Sequence, residues 1–162
     1  MEATPSGRKR WDEHRISLRE DADPNGPIVL VGLGRKSREY LNQPNWEAAK
    51  LTDLQSRFPG REVVYRPKGR DIVKLQCRTD TQELIEPILA GASLVVCRHS
   101  NVAVDAAIAG VPFESEDGAA MWLQDKDFTA ANRLDFLRRL AYWQYKPTEA
   151  AEAWRFAKRM IG

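Results

Sequence analysis

The stretch from Gly91 to Gly118, GASLVVCRHSNVAVDAAIAGVPFESEDG, constrains the fold of this chain more than any other. Ser93 to Cys97 is short, apolar and β-branched, the composition of a strand buried in a parallel sheet. Arg98, His99, Ser100 and Asn101 follow, all polar. Val102 to Ala109 then reads as a short helix. Gly110 closes it, since glycine enters the left-handed C-cap conformation without steric cost. Val111, Pro112 and Phe113 resume an extended run, because Pro112 keeps the helix from continuing. The order is strand, polar turn, helix, strand. Open α/β sheets bind ligands in the crevice beyond the carboxyl ends of their strands. A helix N-terminus there offers free N–H groups and a partial positive charge, which suit a phosphate.

The alternation extends along the chain. Ile28 to Leu33 reads as the first strong strand, followed by Gly32-Leu33-Gly34-Arg35-Lys36-Ser37. Gly32 and Gly34 let the backbone turn and approach a ligand, or they merely end the strand; the run is neither a Walker A loop nor a full dinucleotide fingerprint. Arg35, Lys36 and Arg38 make the loop positive. Asn45 to Phe58 is an amphipathic helix stopped by Pro59-Gly60. Glu62 to Tyr65 is the second strand, ending in the basic turn Arg66-Pro67-Lys68-Gly69-Arg70. Arg66 abuts the strand and suits a phosphate or an acidic sugar, while Lys68 and Arg70 equally fit a solvated loop. Ile72 to Cys77 reads as a short edge strand. Asp80 to Leu89 reads as a helix capped by Thr79 or Asp80, with Pro87 kinking or shortening it. Asn132 to Ala141 and Thr148 to Ile161 are helical, the second with Thr148 as N-cap. Trp143, Tyr145, Trp154 and Phe156 have the spacing of core packing, with base stacking as the alternative.

At 162 residues the chain has the length of one domain and needs no covalent staples to bury a core. The expected architecture is α/β: a single Rossmann-like three-layer domain over residues 28–162, with a mostly parallel sheet, helices on both faces and C-terminal helices. Residues 1–27 are polar and turn-rich and read as a partly flexible N-terminal arm, with Trp11, Ile16 and Leu18 able to tack part of it down. A composition of 43% hydrophobic and 30% charged residues fits a globular protein, and a net charge of +2 leaves no global nucleic-acid footprint. Cys77 and Cys97 sit in apolar contexts and read as buried free thiols, which fits a reducing cytoplasm. No zinc-type cysteine spacing, membrane-length apolar run or signal-peptide core is present.

Three places carry a family resemblance. Val64-Tyr65-Arg66-Pro67-Lys68-Gly69-Arg70 resembles a strand ending in Arg-Pro-His-Pro, with lysine and glycine replacing the histidine and second proline. Ser100-Asn101-Val102-Ala103-Val104-Asp105-Ala106-Ala107-Ile108-Ala109-Gly110-Val111-Pro112 resembles the motif Asn-Ser-Thr-Val-x-x-Glu-Ala-x-x-x-Gly-x-Pro. Arg138 to Trp154 resembles the tail that follows. Together they resemble the C-terminal, donor-binding half of GT-B glycosyltransferases, in the capsule-polysaccharide and Kdo-transferase-like branch and its short phage-encoded relatives. The resemblance implies a nucleotide or nucleotide sugar as ligand. Ser100 and Asn101 would meet phosphate and Asp105 the ribose, whose diol a carboxylate can bind. Arg66, Arg98 and the helix start would stabilise a leaving diphosphate. His99 reads as general base, as phosphate ligand, or as a neutral hydrogen-bonding residue of its turn. No Asp-x-Asp motif occurs, so neither an obligatory metal nor another cofactor is expected. The chain has room for one of the family's two Rossmann-like domains, so the site would be completed by a homodimer or a partner chain. A non-catalytic phage or bacterial accessory module that binds a nucleotide or a host protein is the alternative. Nucleic-acid contact through Arg8-Lys9-Arg10 and Arg35-Lys36 is a third reading, opposed by the near-neutral charge. The expected location is the cytoplasm, the host's if the protein is phage-encoded.

Overall fold

The computed structural model of the chain describes residues 5–69 and 72–161. Arg70, expected in the basic turn, lies outside them, as do the side chains of Arg8, Met160 and Ile161. The strands are β1 Ile28–Val31, β2 Val63–Arg66, β3 Arg78–Thr79, β4 Leu94–Cys97 and β5 Phe113–Ser115. The helices are α1 Pro5–Glu13, α2 Arg35–Tyr40, α3 Trp46–Arg57, α4 Glu86–Leu89, α5 Val102–Ala109, α6 Met121–Gln124, α7 Ala130–Trp143 and α8 Ala150–Ile161. Contacts divide the chain into two compact units, Ser17–Arg133, and Met1–Ile16 with Leu134–Gly162.

The first unit holds one sheet of order β3-β2-β1-β4-β5, parallel throughout, as expected of a Rossmann-like α/β fold. Ile28, Leu30, Val63, Tyr65 and Val96 pack in one core cluster with Trp46, Leu51 and Leu54 of α3. Side chains alternate across a sheet, so Val29, Val64 and Val95 face the other way. All three are fully buried, as are Ala103, Ala106, Ala107 and Ala109 of α5, which packs on β4 and β5. Small residues let that helix approach closely. The β-branched runs are thus covered on both faces, which is why they show no polar alternation.

The secondary structure departs from the sequence pattern in three places. The edge strand is Arg78–Thr79, paired with Val64 and Tyr65, and not Ile72 to Cys77. Val73, Leu75 and Cys77 pack against the core cluster as side chains, so their two-residue period is satisfied without a backbone ladder. The helix expected from Asp80 spans only Glu86–Leu89, with Pro87 in its first turn, where the missing N–H costs nothing. Thr148 does not cap the last helix. A 3-10 turn over Pro147–Glu149 precedes it, and the Glu149 carboxylate accepts the Lys146 N–H at 2.7 Å.

The segment before β1 belongs to the sheet unit. The N–H groups of Arg19 and Asp21 donate to the carbonyls of Ile108 and Ala109, both at 2.8 Å, and Gly91 N–H donates to Asp21 at 2.9 Å. In the second unit, α1 stands where the arm is expected, with Trp11 buried and Ile16 exposed. Arg10 of the basic run donates to the Gln144 carbonyl at 2.6 Å and to Glu149 at 2.9 Å, and lies 4.4 Å over the Tyr145 ring. That cation is an internal tether rather than a free contact for nucleic acid. Tyr142, Trp143 and Phe156 meet edge to face, but Trp143 and Trp154 remain 56% and 65% exposed, outside the core expected for them.

Candidate functional site at the centre of the sheet

From β1 the chain winds outward to β2, and from β4 it winds the other way to β5. Between these neighbours the winding reverses, and loops leaving in opposite directions open a crevice at the carboxyl ends of the strands. Gly32-Leu33-Gly34 and α2 form one wall. Arg98, His99, Ser100 and Asn101, leading into α5, form the other. The two walls touch: Ser37 Oγ and His99 Nε2 are 3.2 Å apart.

Each wall is built from beneath. A Cβ on Gly32 would lie 2.7 Å from the Tyr65 hydroxyl, so this glycine makes way for Tyr65 rather than for a ligand. Gly34 has open space around it and an ordinary extended φ of −73°. The fully buried Glu47 carboxylate accepts the Leu33 N–H at 3.0 Å and the Arg38 guanidinium at 2.7 Å, while Arg38 also donates to the Leu33 carbonyl at 2.8 Å. Burial raises the Tyr65 phenol above its usual pKa, and the Glu47 charge pushes it the same way.

The other wall is pinned by the turn after β5. The Arg98 carbonyl accepts the Ser115 hydroxyl at 2.9 Å and the N–H groups of Glu116 and Asp117 at 3.1 and 2.8 Å. The Arg98 side chain reaches Glu116 at 2.7 Å and Asp117 at 3.2 Å. Glu116 also accepts from Trp46 Nε1 at 2.9 Å and Lys50 at 2.7 Å. Burial opposes its ionisation, but the hydrogen bonds from Lys50 and Trp46 and the charges of Lys50 and Arg98 outweigh it and hold the carboxyl below its usual range. The second carboxylate of the turn, Asp117, stands 3.7 Å from His99 Nδ1.

The crevice therefore gathers Gly32, Gly34, Arg35, Arg98, His99, Ser100 and Asn101. Ser100 Oγ accepts the Val102 N–H at 3.3 Å and so does the capping at the start of α5, leaving the exposed Asn101 side chain without a cap bond. Arg35 is exposed at the start of α2. Arg66 is engaged elsewhere. Arg66 pairs with the buried Asp80 and donates to the Glu83 carbonyl at 3.1 Å, anchoring the chain beyond β3. The Asp105 side chain has no hydrogen-bond or ion-pair partner among the described residues; burial and then the charge of Glu86 raise its pKa. Asp105→Asn should therefore raise the melting temperature at neutral pH by about 1–4 °C. The gain should fade as the pH falls through the raised pKa, where the wild-type side chain is itself neutral. A thermal melt at two pH values checks this, and a lower melting temperature at neutral pH would contradict it.

Ser37, Glu47, Glu116 and Asp117 were not singled out by sequence. The spacing of Glu47, Leu51 and Leu54 puts the glutamate on the inward helical stripe, a legible signal. Ser37 and Asp117 had only their places just beyond strand ends. A cavity of about 390 Å³ lies at the amino ends of β1 and β4 between Phe58, Ser93, Leu94 and Pro112. Its Arg61 is occupied by the carbonyls of Pro24 and Gly26. Among the described residues there is no group of three or more His, Cys, Asp or Glu suited to a metal ion, and no helix long and apolar enough to cross a membrane.

Fold and site define a Rossmann-like α/β protein with a polar crevice at its topological switch point. No protein-family model matches the chain, and no curated protein sequence matches it.

Proposed function

We propose that this protein binds a nucleotide or nucleotide sugar in the crevice beyond β1 and β4, as a glycosyltransferase-like protein of the donor-binding type. The observation that carries the reading is the reversal of strand order between β1 and β4, with a glycine loop on one side and a polar strand-to-helix turn on the other. In this reading the diphosphate lies between the Gly34–Lys36 backbone and the start of α5, and His99 faces the reacting end. Arg98 already serves Glu116 and Asp117, so a phosphate must share it with two carboxylates. That favours a ligand that gains much of its affinity from its base and sugar. Transfer would need the acceptor to be presented by a second copy or a partner; without one, the same crevice serves a binding module.

The test is a thermal-shift series with UDP-, GDP-, CMP- and dTDP-sugars beside the free nucleotides. A ligand at one hundred times its dissociation constant stabilises the fold by about 2.7 kcal/mol, or about 5–10 °C for a chain of this size. One sugar nucleotide should exceed its bare nucleotide. No shift from any of them would overturn the reading.

A further inference from the structure

We propose that Ser37, His99 and Asp117 form a nucleophilic relay and that Ser37 is a catalytic serine able to cleave activated carboxylic esters. The proposal shares the crevice described above but does not require a nucleotide. Three residues distant in sequence meet there in the order such a relay needs. Ser37 Oγ lies 3.2 Å from His99 Nε2, and Asp117 Oδ1 lies 3.7 Å from His99 Nδ1, on the far side of the ring. A carboxylate at Nδ1 favours the tautomer with its proton there and leaves Nε2 as the acceptor for the serine hydroxyl. The 3.7 Å separation is an ion-pair distance, and a hydrogen bond needs the turn to close by less than 1 Å, as catalytic contacts often do when substrate binds.

The supports are specific. Three donors converge on the Arg98 carbonyl and wrap the β5 turn around the residue preceding His99. Gly118, at φ +89°, turns the chain directly after Asp117, and a Cβ there would stand 3.8 Å from the His99 Cα and Cβ. Arg98 holds the other Asp117 oxygen at 3.2 Å, so this carboxylate faces both a cation and the histidine. Ser37 follows β1 by way of Gly32-Leu33-Gly34, its N–H bonded to the Gly34 carbonyl at 3.0 Å, with that loop fixed by Glu47. Ser37 and His99 are half-buried and reachable from solvent.

The chemistry balances with water as the only co-reactant. Ser37 Oγ attacks the ester carbonyl carbon as its proton passes to His99 Nε2. The C–O bond to the alcohol breaks, and the alcohol leaves with that proton. Water then attacks the acyl-serine, giving a proton to His99 as it does so. The acid departs, and Ser37 Oγ recovers the proton. Asp117 acts through His99 and is a positioning residue.

The experiment incubates the folded full chain with a fluorophosphonate probe and with p-nitrophenyl acetate. The serine–phosphorus bond forms as fluoride and the serine proton leave. One label per chain at Ser37, located by peptide mass, is expected, together with ester turnover above background. Ser37→Ala should abolish the label. His99→Asn should slow labelling at least about a hundredfold. Asp117→Asn should slow it about tenfold or more with the melting temperature unchanged, and Asp117→Glu should restore part of the rate. No label on the wild type, or a label that survives Ser37→Ala, overturns the proposal. Nucleotide-induced stabilisation is measured separately on Ser37→Ala, so failure of the relay and failure of the nucleotide reading are distinguishable.

Discussion

Glu47→Ala is expected to lower the unfolding free energy by about 3–5 kcal/mol, among the largest effects of any single side chain here. The carboxylate is inaccessible to solvent and joins three elements: it receives the Leu33 N–H, and it neutralises Arg38, whose side chain is 12% exposed. Alanine takes a carboxylate away from a nearly buried guanidinium and leaves a backbone donor without its acceptor, each costly in a medium that water does not reach. The loop from Gly32 to Gly34 belongs to one wall of the crevice, so ligand-induced stabilisation should fall along with stability. Glu47→Gln keeps an acceptor of nearly the same shape and should cost less. It should also lower the Tyr65 pKa, because the Glu47 charge helps to raise it. Urea unfolding of the three proteins measures the first effect and absorbance titration of tyrosine the second. A loss below about 1 kcal/mol for Glu47→Ala would mean that the loop is held by its own backbone.

Gly110→Ala should destabilise by a similar amount, for a different reason. Gly110 ends α5 at φ +79°, a left-handed conformation that costs other residues about 1–2 kcal/mol. The added methyl would also stand 2.4 Å from the Arg19 carbonyl oxygen and 3.0 Å from an Arg133 nitrogen. Neither neighbour moves easily. Arg19 is bonded through its N–H to Ile108, and the buried Arg133 guanidinium donates to the Arg19 and Ala107 carbonyls at 3.0 and 3.1 Å and pairs with Glu20. Overpacking of this kind adds about 1–3 kcal/mol. Gly60→Ala is the matched comparison. Its φ is +78°, but nothing lies within 4 Å of the new methyl, so only the conformational cost of about 1–2 kcal/mol should appear. Equal losses at the two sites would show that the segment before β1 yields to the methyl.

Local chemistry made much of the fold legible. Val29, Val64 and Val95 belong to β-branched runs whose lack of polar alternation already announces a sheet covered on both faces. Gly110 and Pro112 fix the end of α5, since one takes a conformation that other residues avoid and the other cannot continue a helix. The edge of the sheet was less legible. Val73, Leu75 and Cys77 have the period of a strand, yet pairing falls on Arg78–Thr79, because an edge strand is decided by which backbone groups reach β2 and not by side-chain pattern.

The candidate site divides along the same line. The sequence by itself determined that turn-forming and polar residues follow two buried strands: the glycine-rich, basic run Gly32 to Ser37 after the first, Arg98 to Asn101 after the other. Such residues at strand ends need no partner from far along the chain to be recognised. Only the tertiary structure decided which of them meet. It set β1 beside β4, brought Ser37 to His99 and turned Asp117 toward the other side of the ring. It also committed Arg66 to Asp80, and Arg98 to Glu116 and Asp117. The physical reason is that strand order and the pairing of charges are long-range outcomes. They follow from how helices cover a sheet and how buried charges find counter-charges, and no local run of residues encodes either.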